Sequence, residues 1–366
     1  GTNTSNGTLG LILVILPPMT ARIALYYHYK KRATGYIQPT STPPTCIATV
    51  PIPGPKSTAF LIGNGKPIPI SIDVANRLGW GATGSVYPVL TQQYATSVAK
   101  LYYMPSSSAE LKLQTMIMYQ PNPLFEQIDG GEYPLFAWPQ HIVGNDQNQV
   151  IGFIMPKIGD NTSLTLDNFY IRILLKQHFN LSDISLTWKI TIARNLSWVL
   201  ARLHKQRHYV IDFKPQNIKV FKKTLVVALL DCDSFGISAK GDYLFRATHY
   251  SPEYIAPEAL KFGVPAKALT EYQDRFGLAV CLFQLFNHGI HPYQGIVDND
   301  SFDGTTTDDA VRQGLYPYGI KSHPQVRPLN HSTHQCFDDE MRSLFDRAFS
   351  DNQKNRPAAW DWYTYF

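Results

Sequence analysis

The chain has 366 residues, of which 44% are hydrophobic and 13% aromatic, so it is long and apolar enough to bury a large core. Only 17% of the residues are charged, which excludes a disordered chain by composition, and a net charge of +5 without a dense basic stripe gives no argument for nucleic acid. The four cysteines have no C-x-x-C spacing, so we expect no zinc site and a reducing compartment.

An apolar stretch, residues 9–27, comes first along the chain and is followed by the basic triplet Lys30-Lys31-Arg32. One interpretation is a transmembrane or signal-anchor helix that leaves the rest of the chain in the cytoplasm. The other is a buried segment, or a helix that breaks at Pro17-Pro18 because proline lacks a backbone donor. The sequence leaves open whether residues 9–27 contact a membrane.

Proline and threonine are frequent in residues 38–69. This composition predicts an extended linker, because proline fixes φ and removes hydrogen-bond donors. Residues 1–37 then form a separate N-terminal segment, and the folded part is predicted to begin near Ile70.

A glycine-rich pattern, G-x-G-x-x-G-x-V, is formed by Gly79, Gly81, Gly84 and Val86. Glycines let backbone N–H groups approach phosphates closely. The pattern also fits a dinucleotide fold or an ordinary glycine turn, but a dinucleotide site needs a helix directly after it. Strand-like residues 85–90 and 97–102 follow instead, and the second predicted strand carries Ala99 and Lys100.

Further elements are predicted along the chain from capping, turn and periodicity signals. A serine cluster opens a helix over residues 106–119. Two strands, 136–139 and 150–158, flank a polar turn. Apolar residues at helical spacing predict a core helix over 187–205 and a second apolar helix over 273–286.

The side chains best suited to chemistry lie between Tyr209 and Phe235. Asp212 lies two positions before Lys214 and five before Asn217, and a hydrophobic run then ends on Asp231. A carboxylate can accept a proton from a hydroxyl, and amide and carboxylate oxygens are ligands that Mg²⁺ prefers. A lysine can neutralise a phosphoryl group during transfer, so the pattern indicates phosphoryl transfer.

Three motifs in this order resemble the protein kinase family: residues 210–217 (VIDFKPQN), 231–233 (DCD) and 251–258 (SPEYIAPE). The glycine-rich pattern and the lysine strand precede them, as they do in that family. Lys214 and Ser251 are similar to features of the serine/threonine branch. Within that branch, the D-C-D motif looks like a divergent, mainly bacterial group of kinase-like proteins.

The resemblance implies an α+β fold of two lobes. A small antiparallel β lobe with one helix and the hinge would cover residues 70–158, and a larger, mainly α-helical lobe would cover residues 159–366. In the larger lobe, Glu258 would form a structural ion pair with Arg356. Asp274 would anchor backbone amides beneath the catalytic loop.

The resemblance also implies catalytic and metal-binding roles. Asp212 would orient and deprotonate the acceptor hydroxyl, and Lys214 would stabilise the transferring phosphoryl group. Mg²⁺ would be held by Asn217 and Asp231, with Asp233 as an additional or substitute ligand.

ATP would bind between the lobes. Lys100 would bind the α- and β-phosphates, and Glu110 would position Lys100, with Glu126 as the fallback partner. An alternative for Glu110 is an acid that is simply favoured by the helix dipole. The other nucleotide contacts would come from the glycine-rich pattern (Gly79, Gly81, Gly84), from Val86 and Ala99, from the hinge residues Met155, Lys157 and Ile158, and from Asn217.

The implied function is that of an ATP- and Mg²⁺-dependent kinase that phosphorylates serine or threonine hydroxyls of a protein substrate. Two motifs depart from the family. Val210-Ile211 replaces the usual His-Arg, so the cation that meets a phosphate on the activation loop is missing, and D-C-D replaces D-F-G. These departures keep open a pseudokinase that acts as an ATP-binding or interaction scaffold, and a small-molecule kinase of the same fold is a third alternative.

Overall fold

The first part of the chain forms a curled antiparallel sheet. The computed structural model describes residues 57–63, 65–159, 161–297 and 306–366. In this part of the chain the first strands are β1 (Ser57–Ile62), β2 (Ile68–Ile72), β3 (Gly79–Trp80), β4 (Gly84–Pro88), β5 (Ser97–Tyr102), β6 (Phe125–Ile128), β7 (Gly131–Pro134), β8 (His141–Gly144) and β9 (Val150–Pro156). Strands β6 and β7 pair as a separate hairpin, and the others form one sheet in the order β2-β1-β8-β9-β5-β4-β3.

Strand β1 and the first two residues of β2 lie in the range that the sequence assigned to the linker. They pair antiparallel with Ser57 opposite Ile72, and β1 also pairs with β8. Strand β2 is at the edge of the sheet, where the missing N–H of Pro69 is tolerated. The sheet therefore begins before Ile70, while the other boundaries of the sequence-based division stay predictions.

Helix α1 (Ala109–Met118) packs on the sheet through Leu113, which joins a buried cluster with Ile142 and Phe153. It lies within the helix predicted over residues 106–119 but starts at Ala109, three residues after the predicted start. The strand predicted over residues 136–139 is wrong, because the strand before the polar turn is β8. Phe136 makes only an isolated parallel bridge with Leu229 of the large lobe, and the side chains of Phe136 and Trp138 are buried in the core. Pro139 cannot donate to a sheet ladder, so the pairing does not extend through it.

The second part of the chain is mainly helical. Its helices are α2 (Arg172–Phe179), α3 (Leu186–Lys205), α4 (Pro257–Phe262), α5 (Glu271–Phe286), α6 (Thr307–Gln313), α7 (Asp339–Ala348) and α8 (Ala359–Tyr365). Its short strands are β10 (Ser163–Thr165), β11 (Ile218–Phe221), β12 (Val227–Leu229), β13 (Ile237–Ala239), β14 (Asp242–Phe245), β15 (Ile296–Val297) and β16 (Val326–Arg327). The predicted core helices over residues 187–205 and 273–286 are confirmed as α3 and α5.

Helix α5 is the centre of this lobe, and nearly all of its side chains from Phe276 onward are buried. A Cβ atom at Gly277 would lie 2.9 Å from the Phe213 Cβ and 3.0 Å from its carbonyl oxygen. The glycine therefore lets α5 approach the segment that contains Asp212. Together, a curled sheet with one helix and a larger helical part form an α+β, two-lobed fold like that of protein kinases.

The membrane interpretation falls on residues outside this description. Within the described ranges, no helix is both long and apolar enough to cross a membrane. Residues 9–27 lie before these ranges, so their contact with a membrane stays a prediction.

Glu258 and Arg356 form the ion pair expected from the sequence. Two nitrogens of the fully buried guanidinium donate to the two carboxylate oxygens, each at 2.7 Å. We expect Glu258→Gln to lower the free energy of unfolding by about 2 kcal/mol, because hydrogen bonds to charged groups are lost while the shape is kept. Urea unfolding measures this, with Glu340→Gln on the exposed start of α7 as the matched control. Equal midpoints for the two variants would contradict the role.

His291 is buried as a neutral ring. Its Nε2 lies 2.9 Å from the Glu253 carbonyl oxygen, and its Nδ1 accepts from the Tyr293 N–H. Burial lowers the pKa of His291 to about 4, with the Glu253 carbonyl opposing this change. Because the folded-state pKa lies below the unfolded value of 6.5, this ring's contribution to stability is complete above pH 6.5 and is lost as the pH falls through 4.

The expected loss for wild-type protein between pH 6.5 and pH 4 is about 3 kcal/mol from this group, at about 1.4 kcal/mol per pKa unit. His291→Gln keeps a side-chain donor but cannot be protonated. We therefore expect this variant to show a shallower decline of stability over the same interval, measured by chemical unfolding at a series of pH values. A decline as steep as that of the wild type would assign the acid sensitivity to other groups.

Candidate active site

One face of strand β5 brings several predicted nucleotide-binding residues together. Side chains alternate along a strand, so Val98 and Lys100 share a face. Val86 lies opposite Lys100 on β4, and Met155 lies opposite Val98 on β9. Ala99 points to the other face, where it is fully buried in the core of the sheet. Ala99 therefore does not share the face of Lys100 as the sequence interpretation assumed, and Val98 is the neighbouring residue of β5 that does; strand alternation in the sequence could have revealed this. Which of these residues contacts a nucleotide stays a prediction.

The glycine-rich turn connects β3 and β4. Cβ atoms at Gly79 and Gly81 would meet open space, so the backbone there is accessible to a ligand. A Cβ atom at Gly84 would lie 2.3 Å from the Leu101 carbonyl oxygen. Glycine is therefore required at position 84 by the close approach of strands β4 and β5, which is a structural reason for that residue.

Lys100 forms ion pairs with two carboxylates from the segment after β12. Its Nζ lies 2.7 Å from Asp231 Oδ1 and 2.7 Å from Asp233 Oδ1. Burial alone would lower the pKa of Lys100, but the charges of Asp233 and Asp231 outweigh it and raise that pKa. Burial likewise would raise the pKa of Asp231, and Lys100 reverses this to a net lowering. Both members of the pair are held in their charged forms.

Asp231 and Asp233 differ in exposure. The Asp231 side chain is 34% exposed, whereas that of Asp233 is 6% exposed. Asp231 also has a φ of 55°, the left-handed region that non-glycine residues rarely adopt. Backbone strain of this kind is concentrated at functional sites, and here it occurs at Asp231, which has the more accessible of the two carboxylates.

Asn217 links the two acidic segments. Its Nδ2 donates to the Asp212 backbone oxygen at 3.1 Å and lies 3.4 Å from Asp212 Oδ2. The backbone oxygen of Asn217 accepts from the Leu230 N–H at 2.8 Å. The side-chain oxygen, Asn217 Oδ1, accepts no hydrogen bond from the part of the chain that the structure describes. Asp231 and the Asn217 amide oxygen are hard oxygen donors, so they fit Mg²⁺ chemically.

Asp212 has one engaged and one unengaged carboxylate oxygen. Its Oδ2 lies 2.7 Å from Lys214 Nζ. Its Oδ1 is buried and has no hydrogen-bond partner among the described residues. Lys214 Nζ also donates to Ser251 Oγ at 2.7 Å, so it joins Asp212 to the segment that leads into α4. An unsatisfied buried carboxylate oxygen is costly and suggests a functional role.

The backbone beside Asp212 is fixed from below. Asp274 is fully buried, and its two carboxylate oxygens accept from the Val210 and Ile211 N–H groups at 2.8 and 2.7 Å. His204 Nε2 lies 3.0 Å from the same carboxylate. Ile211 has a φ of 63°, a left-handed value that these hydrogen bonds help to hold. The expected anchoring role of Asp274 is confirmed.

Glu110 does not contact Lys100 in this structure. It is exposed, and its Oε1 accepts from Gln114 Nε2 at 3.1 Å. The fallback residue Glu126 lies on β6, where it lines a cavity with Arg194 and Trp198. Glu110 does not reach Lys100 because its side chain points away from the side of α1 that faces the site.

Lys112 is the residue of α1 that reaches the site, and the sequence reasoning missed it. Its Nζ donates to the carbonyl oxygens of Asp233 and Phe235, at 2.6 and 2.9 Å. Burial lowers the pKa of Lys112 to about 8, although the negative charges of Asp233 and Asp231 oppose that change. A lysine on the predicted helix was visible in the sequence, but nothing local linked it to the D-C-D motif.

The predicted hinge residues lie at the end of strand β9 and directly after it. Met155 and Ile158 are half-buried against the core of the large lobe, and Lys157 is exposed. The Lys157 N–H donates to the Thr96 carbonyl oxygen at 2.9 Å, so that group is already engaged. Of the three residues, Met155 lies on the Lys100 face of the sheet, and the adenine contacts stay a prediction.

Comparison with known proteins finds relatives that are named as protein kinases. No protein-family model matches the chain. It is 28% identical over 306 residues to the protein kinase YegI of Escherichia coli strain K12, with 79% of this chain covered. It is also 28% identical over 301 residues to the protein kinase YegI of Escherichia coli O157:H7. The chain spans 43% of the length of each of these relatives. In fold, in motif order and in these relatives, the chain resembles the protein kinases and, among them, a divergent bacterial kinase-like group.

Proposed function

We propose that this chain is an ATP- and Mg²⁺-dependent protein kinase that transfers the γ-phosphate to serine or threonine hydroxyls. The observation that supports this best is the set of contacts that links the predicted site residues. Lys100 contacts Asp231 across 131 positions of sequence, and Asn217 joins the Asp231 segment to Asp212. The kinase names of the relatives support the same activity.

Asp212 would act as the general base. As the bond forms between the acceptor oxygen and the γ-phosphorus, the bond from that phosphorus to the β–γ bridging oxygen breaks. The hydroxyl proton passes to the Asp212 carboxylate, and ADP leaves. Lys214 would neutralise charge on the transferring group. Its contact with Ser251 would hold the Ser251 segment, on which the substrate would lie, next to Asp212.

The nucleotide and metal roles follow from the donor sets. Lys100 would bind the α- and β-phosphates from the face that it shares with Val86 and Val98. Asp231 and the amide oxygen of Asn217 would hold Mg²⁺, which supplies positive charge to the phosphates. The accessible backbone at Gly79 and Gly81 would cover the phosphates.

The test is transfer of labelled γ-phosphate from ATP to a generic protein substrate and to the 366-residue chain itself, with Mg²⁺ or with EDTA. We expect Mg²⁺-dependent transfer, with phosphoserine or phosphothreonine after acid hydrolysis. Thermal stabilisation by ATP and Mg²⁺ is measured in parallel. Stabilisation without transfer would favour the ATP-binding scaffold, and transfer only to small-molecule alcohols would replace the protein substrate. The absence of both transfer and stabilisation would overturn the kinase proposal.

A further inference from the structure

We propose that Asp233 is the acidic partner that positions Lys100, and that Lys112 on α1 holds the Asp233 turn in place. This arrangement replaces a glutamate on the helix. It rests on the proposed function because the role of Lys100 is to bind the phosphates of ATP. Both residues act as positioning residues, since neither is required to touch the reacting atoms.

The first argument is the division of labour between the two aspartates. Asp231 is the more exposed and is the acid proposed to hold Mg²⁺, so its carboxylate has to turn toward the metal. Asp233 is 6% exposed and lies 2.7 Å from Lys100 Nζ, whose side chain is also 6% exposed. When Asp231 engages the metal, Lys100 keeps a buried carboxylate partner.

The second argument is the packing of strand β5 on Asp233. Lys100 and Tyr102 are two positions apart on the strand, so their side chains share a face. Asp233 is close enough to Tyr102 for its negative charge to raise the pKa of the Tyr102 hydroxyl, in addition to the larger effect of burial. The Asp233 carboxylate thus contacts Lys100 directly and lies near Tyr102 on the same face of β5.

The third argument is the orientation of α1. Successive residues of an α-helix are rotated by about 100° around its axis, so the side chains of Glu110 and Lys112 point to nearly opposite sides of the helix. Lys112 faces the site and binds the carbonyl oxygens of Asp233 and Phe235, whereas Glu110 is exposed. Bringing Glu110 to Lys100 would require the helix to turn and would break both Lys112 hydrogen bonds.

The turn itself is stiff. Residues 232–234 form one 3₁₀ turn, and Ser234 donates to the Asp231 carbonyl oxygen from both its N–H (2.9 Å) and its hydroxyl (2.7 Å). Phe235 follows and is fully buried. Asp231 and Asp233 are thus parts of one rigid unit, and the position of Lys100 is set by the same unit that carries the metal-binding acid.

The experiment measures affinity for ATP with Mg²⁺ and for adenosine, together with KM and kcat, in five single variants of the 366-residue chain. Asp233→Asn should weaken ATP binding by about tenfold and leave adenosine binding unchanged, because only the phosphates meet Lys100. Lys112→Met should raise KM for ATP by a smaller factor, and Lys112→Arg should restore it. Asp146→Asn, in the exposed turn between β8 and β9, is the matched control.

Glu110→Gln decides between the two arrangements. A helix glutamate that positions Lys100 would make Glu110→Gln the damaging variant and Asp233→Asn the mild one, and that result would overturn the inference. Equal loss of ATP and adenosine binding in Asp233→Asn would also overturn it, because it would show general damage to the site.

A stability measurement without ATP tests the Lys100–Asp233 partnership independently of the proposed function. In urea unfolding, the combined Lys100→Met and Asp233→Asn variant should be less destabilised than the sum of the single variants, since both remove one ion pair. Additive effects would contradict the Lys100–Asp233 partnership. If the unfolding data show coupling but the wild-type chain neither binds nor turns over ATP, only the proposed function is refuted, and the Lys100–Asp233 partnership stands.

Discussion

Asp212→Asn is expected to lower phosphate transfer to a protein acceptor by about 10²–10⁴-fold, the range typical of a lost general base. The amide has the shape of the carboxylate but cannot accept the hydroxyl proton. Affinity for ATP should change by less than about twofold, because Asp212 contacts Lys214 and Asn217 and has no predicted contact to the nucleotide. The two effects together would separate a catalytic role from a binding role.

The measurements are single-turnover transfer of labelled γ-phosphate and direct titration with ATP. Asp146→Asn is the matched control for loss of one carboxylate charge at an exposed position. A thermal midpoint close to that of the wild type would show that the variant is folded. If Asp212→Asn lost ATP affinity and transfer by the same factor, the residue would be part of the binding site and the general base would have to be another group.

Long periodic segments were predictable because their burial pattern is repeated in the sequence. Helix α3 spans Leu186–Lys205, one residue from the predicted start, and strand β5 has the predicted bounds Ser97–Tyr102. The short apolar run at residues 136–139 has no such repeat. Its aromatic side chains are equally suited to a strand and to a buried loop, and the structure uses them in the loop.

The partners of Lys100 could not be predicted in the same way. The identities of Lys100, Asp231 and Asp212 followed from motif order, but a contact between residues 133 positions apart is not encoded in local spacing. The rotation of α1 decides whether Glu110 or Lys112 faces the site, and that rotation depends on which residues pack under the helix. Only the tertiary structure, through the burial of Leu113 on β8 and β9, fixes it.

Asp231→Asn is expected to reduce transfer at saturating ATP by more than about 100-fold and to raise the Mg²⁺ concentration that gives half-maximal rate. Changes to residues that merely orient a metal ligand cost about 10–100-fold, so loss of a charged ligand should cost more. The Asp231 carboxylate is more accessible than that of Asp233, and the backbone has a left-handed φ of 55° at Asp231; these two features are the basis of the assignment. Asp233→Asn offers the direct comparison, because both variants remove one carboxylate from Lys100.

The discriminating quantity is the dependence of rate on Mg²⁺ for the two variants. In Asp231→Asn the half-saturating Mg²⁺ concentration should rise sharply, and excess Mg²⁺ should recover part of the rate. In Asp233→Asn the affinity for ATP should fall while the Mg²⁺ requirement stays near that of the wild type, because the buried Asp233 carboxylate contacts Lys100. The reverse pattern would exchange the two roles: Asp233 would be the metal ligand, and the half-buried Asp231 would be the partner that Lys100 keeps.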